Sequence, residues 1–165
     1  MIIIRRADMS DKDIARFWAK VDKSGDCWNW TGAAIPNKVG NKYGHIKFAD
    51  NMVYAHRFVY ALAHGECPTN LVIDHICHNT LCVNPNHLQA VTQQQNNENR
   101  IPNKSNKTGI RGVSWQKVHH KYQVHVRSNG KLHYGGEYDD IHAAEKAAVE
   151  LRNKLMKNNL LDRAK

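Results

Sequence analysis

Residues 74–88 read D-H-I-C-H-N-T-L-C-V-N-P-N-H-L, a run in which Cys77, Cys82 and His87 follow one another with four residues between each neighbouring pair. Three ligand-type side chains this close in the chain converge on one ion at little loop-closure cost. A structural zinc site is tetrahedral and takes four protein ligands, so a fourth is required, and Cys27 and Cys67 are both candidates. Spacing alone does not choose between them. Ahead of the run, Leu71-Val72-Ile73 is a β-branched stretch ending in Asp74-His75, which predicts a strand. Beyond it, Asn79, Asn84 and Pro85 predict irregular chain as far as His87, and Thr92 suits the N-cap of a polar helix reaching Arg100. Strand, metal-pinned loop and helix together predict a ββα unit, with zinc as a staple for a domain of about 100 residues, a size at which the core is modest.

Working towards the N-terminus, Phe58, Val59 and Leu62 form an apolar stripe that predicts a helix from Ala55 to Ala63, stopped at Gly65. Tyr43 to Phe48 and Met52 to Tyr54 suit a hairpin turning at Asp50-Asn51. Ser10 is placed to cap a further helix running to Val21, with Asp11 and Asp13 in its first turn and Ile14, Phe17, Trp18 and Val21 on one face.

Towards the C-terminus the pattern changes. Ile110–Trp115, Lys121–Arg127 and Lys131–Tyr138 read as three strands, the last two joined by Ser128-Asn129-Gly130, and a helix follows from Asp140 to Met156 with Ile141, Ala144, Ala148, Leu151 and Leu155 on one side. Such a module covers one sheet face with the helix and leaves the other free. Along Lys121–Arg127, Tyr122, Val124 and Val126 point one way, and Lys121, Gln123, His125 and Arg127 the other. The second set is a row of donors fit for a DNA major groove, which admits a β-ribbon, and Arg111, Trp115 and His133 are expected to extend it.

The charge agrees with this division. The 165 residues carry a formal net charge of +9, and residues 1–100 hold 11 Lys/Arg against 9 Asp/Glu while residues 101–165 hold 13 against 6. A basic excess concentrated in a small module suits a polyanionic partner, because neutralised phosphates release their counterions. The polar stretch I-P-N-K-S-N-K-T at 101–108 suggests the boundary, giving domains 1–103 and 104–165 and an α+β fold class overall. No apolar run approaches the roughly 20 residues that span a bilayer, and no signal peptide is apparent, so no membrane partner is expected. Four cysteines spaced unevenly among eleven histidines make a metal-ligand set rather than a disulfide framework, which places the chain in a reducing, cytoplasmic setting.

Asp74, His75 and Asn96 are the chemical candidates. Hydrolysis of a phosphodiester requires a group to take a proton from water and another to stabilise charge developing on phosphate and leaving oxygen. An imidazole suits the first task near neutral pH, and the hard oxygens of a carboxylate and an amide suit magnesium or manganese for the second.

Residues 74–88, with V-T-Q-Q-Q-N at 91–96, C-W-N-W-T-G at 27–32, Y-G-H-I at 43–46 and A-H-R-F-V-Y at 55–60, resemble the HNH and His-Cys box homing endonucleases, many of them encoded by phages or mobile introns. The resemblance covers about residues 25 to 100. It implies that His75 is the general base and Asn96 a ligand of the catalytic ion, with Asp74 a second ligand as in the HNH branch. It implies Cys27 as the fourth zinc ligand, leaves Cys67 a free thiol, and makes Arg57 a candidate phosphate contact.

Residues 107–156 resemble the APETALA/ethylene-response-factor type of DNA-binding domain through G-I-R-G-V-S-W at 109–115, K-Y-Q-V-H-V-R at 121–127, Y-G-G-E-Y at 134–138 and H-A-A-E-K-A-A at 142–148. That likeness implies a three-stranded sheet in the major groove, with Arg111 and Arg127 on the DNA. Ser114 and Gln116 stand where plant members carry arginines. The expectation is a zinc-containing, magnesium- or manganese-dependent endonuclease of double-stranded DNA, working in a host cytoplasm if phage-encoded. The alternative is a non-catalytic DNA-binding regulator that keeps the zinc scaffold.

Overall fold

A computed structural model of the chain describes residues 2–100, 102, 105–157 and 159–163. The chain forms two compact units, Met1–Thr92 and Gln93–Lys165. The boundary expected between residues 103 and 104 falls on positions outside the described set.

In chain order the first unit contains β1 (Ile4–Arg5), α1 (Asp11–Trp18), β2 (Val21–Asp22), β3 (Asn29–Trp30), β4 (Ala34–Pro36), β5 (Lys42–Phe48), β6 (Asn51–Tyr54), α2 (Ala55–His64), β7 (Glu66–Cys67), β8 (Val72–His75) and β9 (Leu88–Val91). Ser10 caps α1 in a capping box with Asp13, each side chain meeting the other residue's backbone N–H, but the helix ends at Trp18 rather than Val21. Phe17 from α1 stacks on Phe58 from α2 at 5.0 Å and lies 5.2 Å from Trp30. These rings, with Ile46, Phe48, Val53, Ala55, Val59, Ala61 and Ile73, form the core. Gly65, at φ +89°, stops α2 in a conformation that L side chains rarely adopt.

Two expectations change in this unit. The β5–β6 hairpin turns at Ala49-Asp50, both at positive φ, with Phe48 paired to Asn51, so the turn sits one residue earlier than the sequence suggested. Leu88–Val91 is a strand paired antiparallel with β8, so regular structure resumes at Leu88 and not at Thr92. Gln89 and Ala90 are poor strand formers, and pairing with Val72–His75 overrides their preference.

The second unit contains α3 (Gln93–Glu98), β10 (Val113–Gln116), β11 (Lys121–Ser128), β12 (Lys131–Tyr138), α4 (Ile141–Leu155) and α5 (Leu160–Arg163). The strands form one antiparallel sheet in the order β10-β11-β12. Asp140 caps α4 by accepting from the Ala143 N–H, and Ala144, Ala148 and Leu151 pack on Val113, Val124 and Tyr122. The β11–β12 turn is the Asn129-Gly130 pair, both at positive φ, as a two-residue hairpin demands. α3 stops at Glu98, two residues short of the expected end.

Candidate functional site

Segment 27–30 runs alongside segment 81–83: Trp30 N donates to Leu81 O, Val83 N donates to Trp28 O, and Asn29 bridges Cys82. This pairing carries Cys27 to the loop between β8 and β9. One ligand atom from each of Cys27, Cys77, Cys82 and His87 then lies within 4.8 Å of every other. His87 Nδ1 is 3.7 Å from Cys27 Sγ and 3.5 Å from Cys82 Sγ. Zinc–sulfur bonds of about 2.3 Å in a tetrahedron put neighbouring ligands about 3.8 Å apart, so three soft sulfurs and one imidazole at these separations fit zinc. The second ring nitrogen of His87 faces Asp26 Oδ2 at 3.4 Å, which fixes the ring with Nδ1 towards the sulfurs. Burial pushes the Cys77 thiol up to about 12 and raises Cys82 as well, while the backbone N–H of Asn84 donates to Cys82 Sγ at 3.4 Å. Cys67, the other candidate ligand, is buried in β7 opposite Ile4, within the apolar core.

The same loop supports Asp74 and His75. Consecutive strand residues project to opposite faces. Asp74 is paired with Gln89, whose Nε2 donates to Asp74 Oδ2 at 3.1 Å, while His75 faces inward, 5% exposed. His75 Nε2 lies 3.1 Å from Cys82 O. A carbonyl only accepts, so Nε2 carries the hydrogen and Nδ1 is left as the basic nitrogen. Burial drives this imidazole down to about 4, so it is neutral at physiological pH.

Its surroundings were not legible in sequence. The His56 ring meets His75 edge-on at 4.8 Å, Tyr43 lies 6.3 Å away, and Tyr54 stacks on His56 at 5.4 Å. Strands β5, β6 and β8 and helix α2 each contribute a ring, and no local spacing announces the cluster. Arg57, the candidate phosphate contact, donates to Pro68 O at 2.5 Å and Leu71 O at 3.4 Å, bracing the connection into β8.

Asn96 is half-buried on α3 in the second unit. On the sheet there, Gln123, His125 and Arg127 share one face, as expected. Lys121 Nζ bonds Asp139 at 3.3 Å, Gln123 Nε2 donates to Glu137 at 2.6 Å, and Arg127 is exposed. Trp115 and His133 do not extend this row. Trp115 is paired with Tyr122 and His133 with Val126, so both lie on the face carrying the valines. The register slips at Val124/His125, and Tyr134 and Leu132 come opposite His125 and Arg127 instead. The Arg111 guanidinium is bonded to the Asn97 and Glu98 carbonyls.

Four Cys/His side chains that could hold a metal ion therefore lie beside a two-stranded hairpin whose first strand ends in Asp74-His75. Residues 53–98 match the family model for HNH endonuclease, so this part of the chain is similar to an HNH endonuclease domain. Among curated proteins it is similar to Protein 7.7 of Escherichia phage T7, 36% identical over 76 residues, which are 46% of this chain and 55% of that protein. It is 37% identical over 94 residues to an uncharacterised HNH endonuclease of Acanthamoeba polyphaga mimivirus, covering 56% of this chain and 46% of the relative. Protein 2.8 of Escherichia phage T7 is 34% identical over 84 residues, 50% of this chain and 53% of that protein. The chain thus spans about half the length of these relatives. No solved structure matches it significantly. Among the described residues no helix is long and apolar enough to cross a membrane.

Proposed function

We propose that the chain is a metal-dependent endonuclease of double-stranded DNA, of the site-specific homing kind, with a C-terminal sheet module of the APETALA/ethylene-response-factor type that docks in the major groove. The observation that carries this reading is the geometry of His75 at the end of β8: Nε2 is committed to Cys82 O, which leaves the Nδ1 lone pair as the acceptor. In that state Nδ1 takes a proton from water as the water oxygen bonds to phosphorus and the scissile P–O bond breaks.

Asp74 and Asn96 are the proposed oxygen ligands of a magnesium or manganese ion, which when bound supplies charge stabilisation to the phosphate and leaving oxygen. Gln89 donates to Asp74 Oδ2 at 3.1 Å and so helps to hold the carboxylate in place. Zinc on Cys27, Cys77, Cys82 and His87 is structural: all four positions are filled by protein, and its loop supplies the carbonyl that sets the tautomer of His75. Lys121, Gln123, His125 and Arg127 present donors to base edges and phosphates, Lys121 and Gln123 exchanging carboxylate partners for DNA. The similarity to Escherichia phage T7 proteins supports a phage-borne protein acting in the host-cell cytoplasm.

Nicking of supercoiled plasmid with added magnesium or manganese tests the reading. The wild type is expected to nick, and His75→Ala to lose at least a hundredfold in rate, the contribution of a general base, while keeping its zinc and its duplex affinity. A wild type inactive with either ion, or a His75→Ala protein that cuts normally, would sink the assignment.

A further inference from the structure

α3 has six residues, too few to be stable by backbone hydrogen bonds alone. Part of what holds it comes from the rest of its own unit. Arg111 Nη1 donates to Glu98 O at 2.6 Å and Nη2 to Asn97 O at 3.2 Å, so one guanidinium fork closes the last carbonyls of the helix. A cation at a helix C-terminus also meets the negative end of the helix dipole. At the other end, Gln94 Nε2 donates to Asn129 Oδ1 in the β11–β12 turn at 2.5 Å.

Arg111 is itself anchored. Arg152, 3% exposed, donates through Nη1 to the Arg111 carbonyl, and grips Asp162 through Nε and Nη2 at 2.6 and 2.9 Å. The guanidinium of Arg111 packs at 3.5 Å from Met156 Sδ at the end of α4. A side chain with its fork on two carbonyls and its own carbonyl held by a buried arginine is set up to hold backbone. Reaching a base edge would require it to abandon both carbonyls.

We propose that Arg111 is a positioning residue for Asn96: it clasps the C-terminal end of α3 and so sets where the Asn96 amide stands. This rests on the proposed role of Asn96 as an oxygen ligand, and it reassigns Arg111 from reading DNA to supporting that ligand. A preformed ligand must be held by its neighbours to be effective, and a six-residue helix cannot do this unaided.

The test uses the full-length, zinc-loaded chain and three readouts: amide hydrogen exchange across residues 95–99, affinity for a random-sequence duplex without added divalent ion, and plasmid nicking at saturating protein with magnesium. Arg111→Ala is expected to speed α3 exchange about tenfold or more, leave duplex affinity within about twofold, and slow nicking about tenfold or more, the size of effect that a local opening free energy of ~1.4 kcal/mol produces. Arg127→Ala, on the open face, is expected to weaken duplex affinity and leave α3 exchange alone. Arg111→Gln, which keeps one N–H donor for Glu98 O, should fall between, and it serves if the alanine variant does not fold.

Loss of duplex affinity in Arg111→Ala with α3 exchange unmoved would overturn the inference, as would normal nicking by Arg111→Ala alongside an impaired Asn96→Ala. Normal nicking by Asn96→Ala would instead remove the ligand role itself, whatever Arg111 does.

Discussion

Asp26 shows how a single exposed carboxylate can shape a candidate metal centre. Its Oδ2 faces the outer nitrogen of His87 at 3.4 Å, while its backbone carbonyl accepts from Asn84 Nδ2 at 2.9 Å, so the residue before the first ligand orients the last one. Removing such an outer partner typically costs 10–100-fold in metal affinity. Because Asp26 lies in solvent, Asp26→Ala is expected near the lower end, about tenfold weaker for zinc, as read by competition with a chromophoric chelator; an unchanged affinity would mean that His87 holds its orientation alone. At this scale the sequence was unevenly informative. Cys77, Cys82 and His87 announce themselves by local spacing, whereas the choice of Cys27 over Cys67 depends on strand pairing far apart in the chain. Arg111 and Arg57 were placed on nucleic acid because their type and motif suit it. Their observed partners are backbone carbonyls from other elements, which no local pattern encodes.

At the level of elements, Trp30 and Gly44 show why β3 and β5 sit as they do. A Cβ on Gly44 would collide with the indole of Trp30, whose Nε1 donates to Ala33 O at 3.0 Å and whose ring is buried beside Phe17. The strand must therefore carry hydrogen at that position. Gly44→Ala is expected to cost about 1–3 kcal/mol in urea unfolding, the usual penalty for overpacking a filled core; a loss below about 0.5 kcal/mol would show that the indole moves freely aside. The helices were readable because capping and apolar periodicity are local, as Ser10 and Asp13, or Asp140 and the Ala144/Ala148/Leu151 stripe, demonstrate. Errors came where a partner strand intervenes. β9 forms on unpromising residues because β8 supplies the pairing, and His133 changes face because the β11–β12 register slips, inverting the alternation beyond it.

Across the whole molecule, all four ligands of the candidate zinc centre belong to the first unit, while the sheet on which α4 packs belongs to the second. Stripping the ion should therefore be felt unevenly. With a strong chelator, amides of β8 and β9 are expected to lose most of their hydrogen-exchange protection, because binding free energy at such a site is folding free energy, while Val124 and Val126 keep theirs. Equal loss in both units would show that the second depends on the metal as well.

Cys27 and His87 stand sixty residues apart, joined by the antiparallel contact of segment 27–30 with segment 81–83. During synthesis the coordination sphere cannot close until nearly the entire first unit has left the ribosome, and an ion captured earlier meets at most the three cysteines, since His87 emerges last. Closing so wide a loop is slow compared with making a helix turn, so assembly of the centre is a late event in folding, and metal supplied at the start of refolding should accelerate the final phase rather than the first.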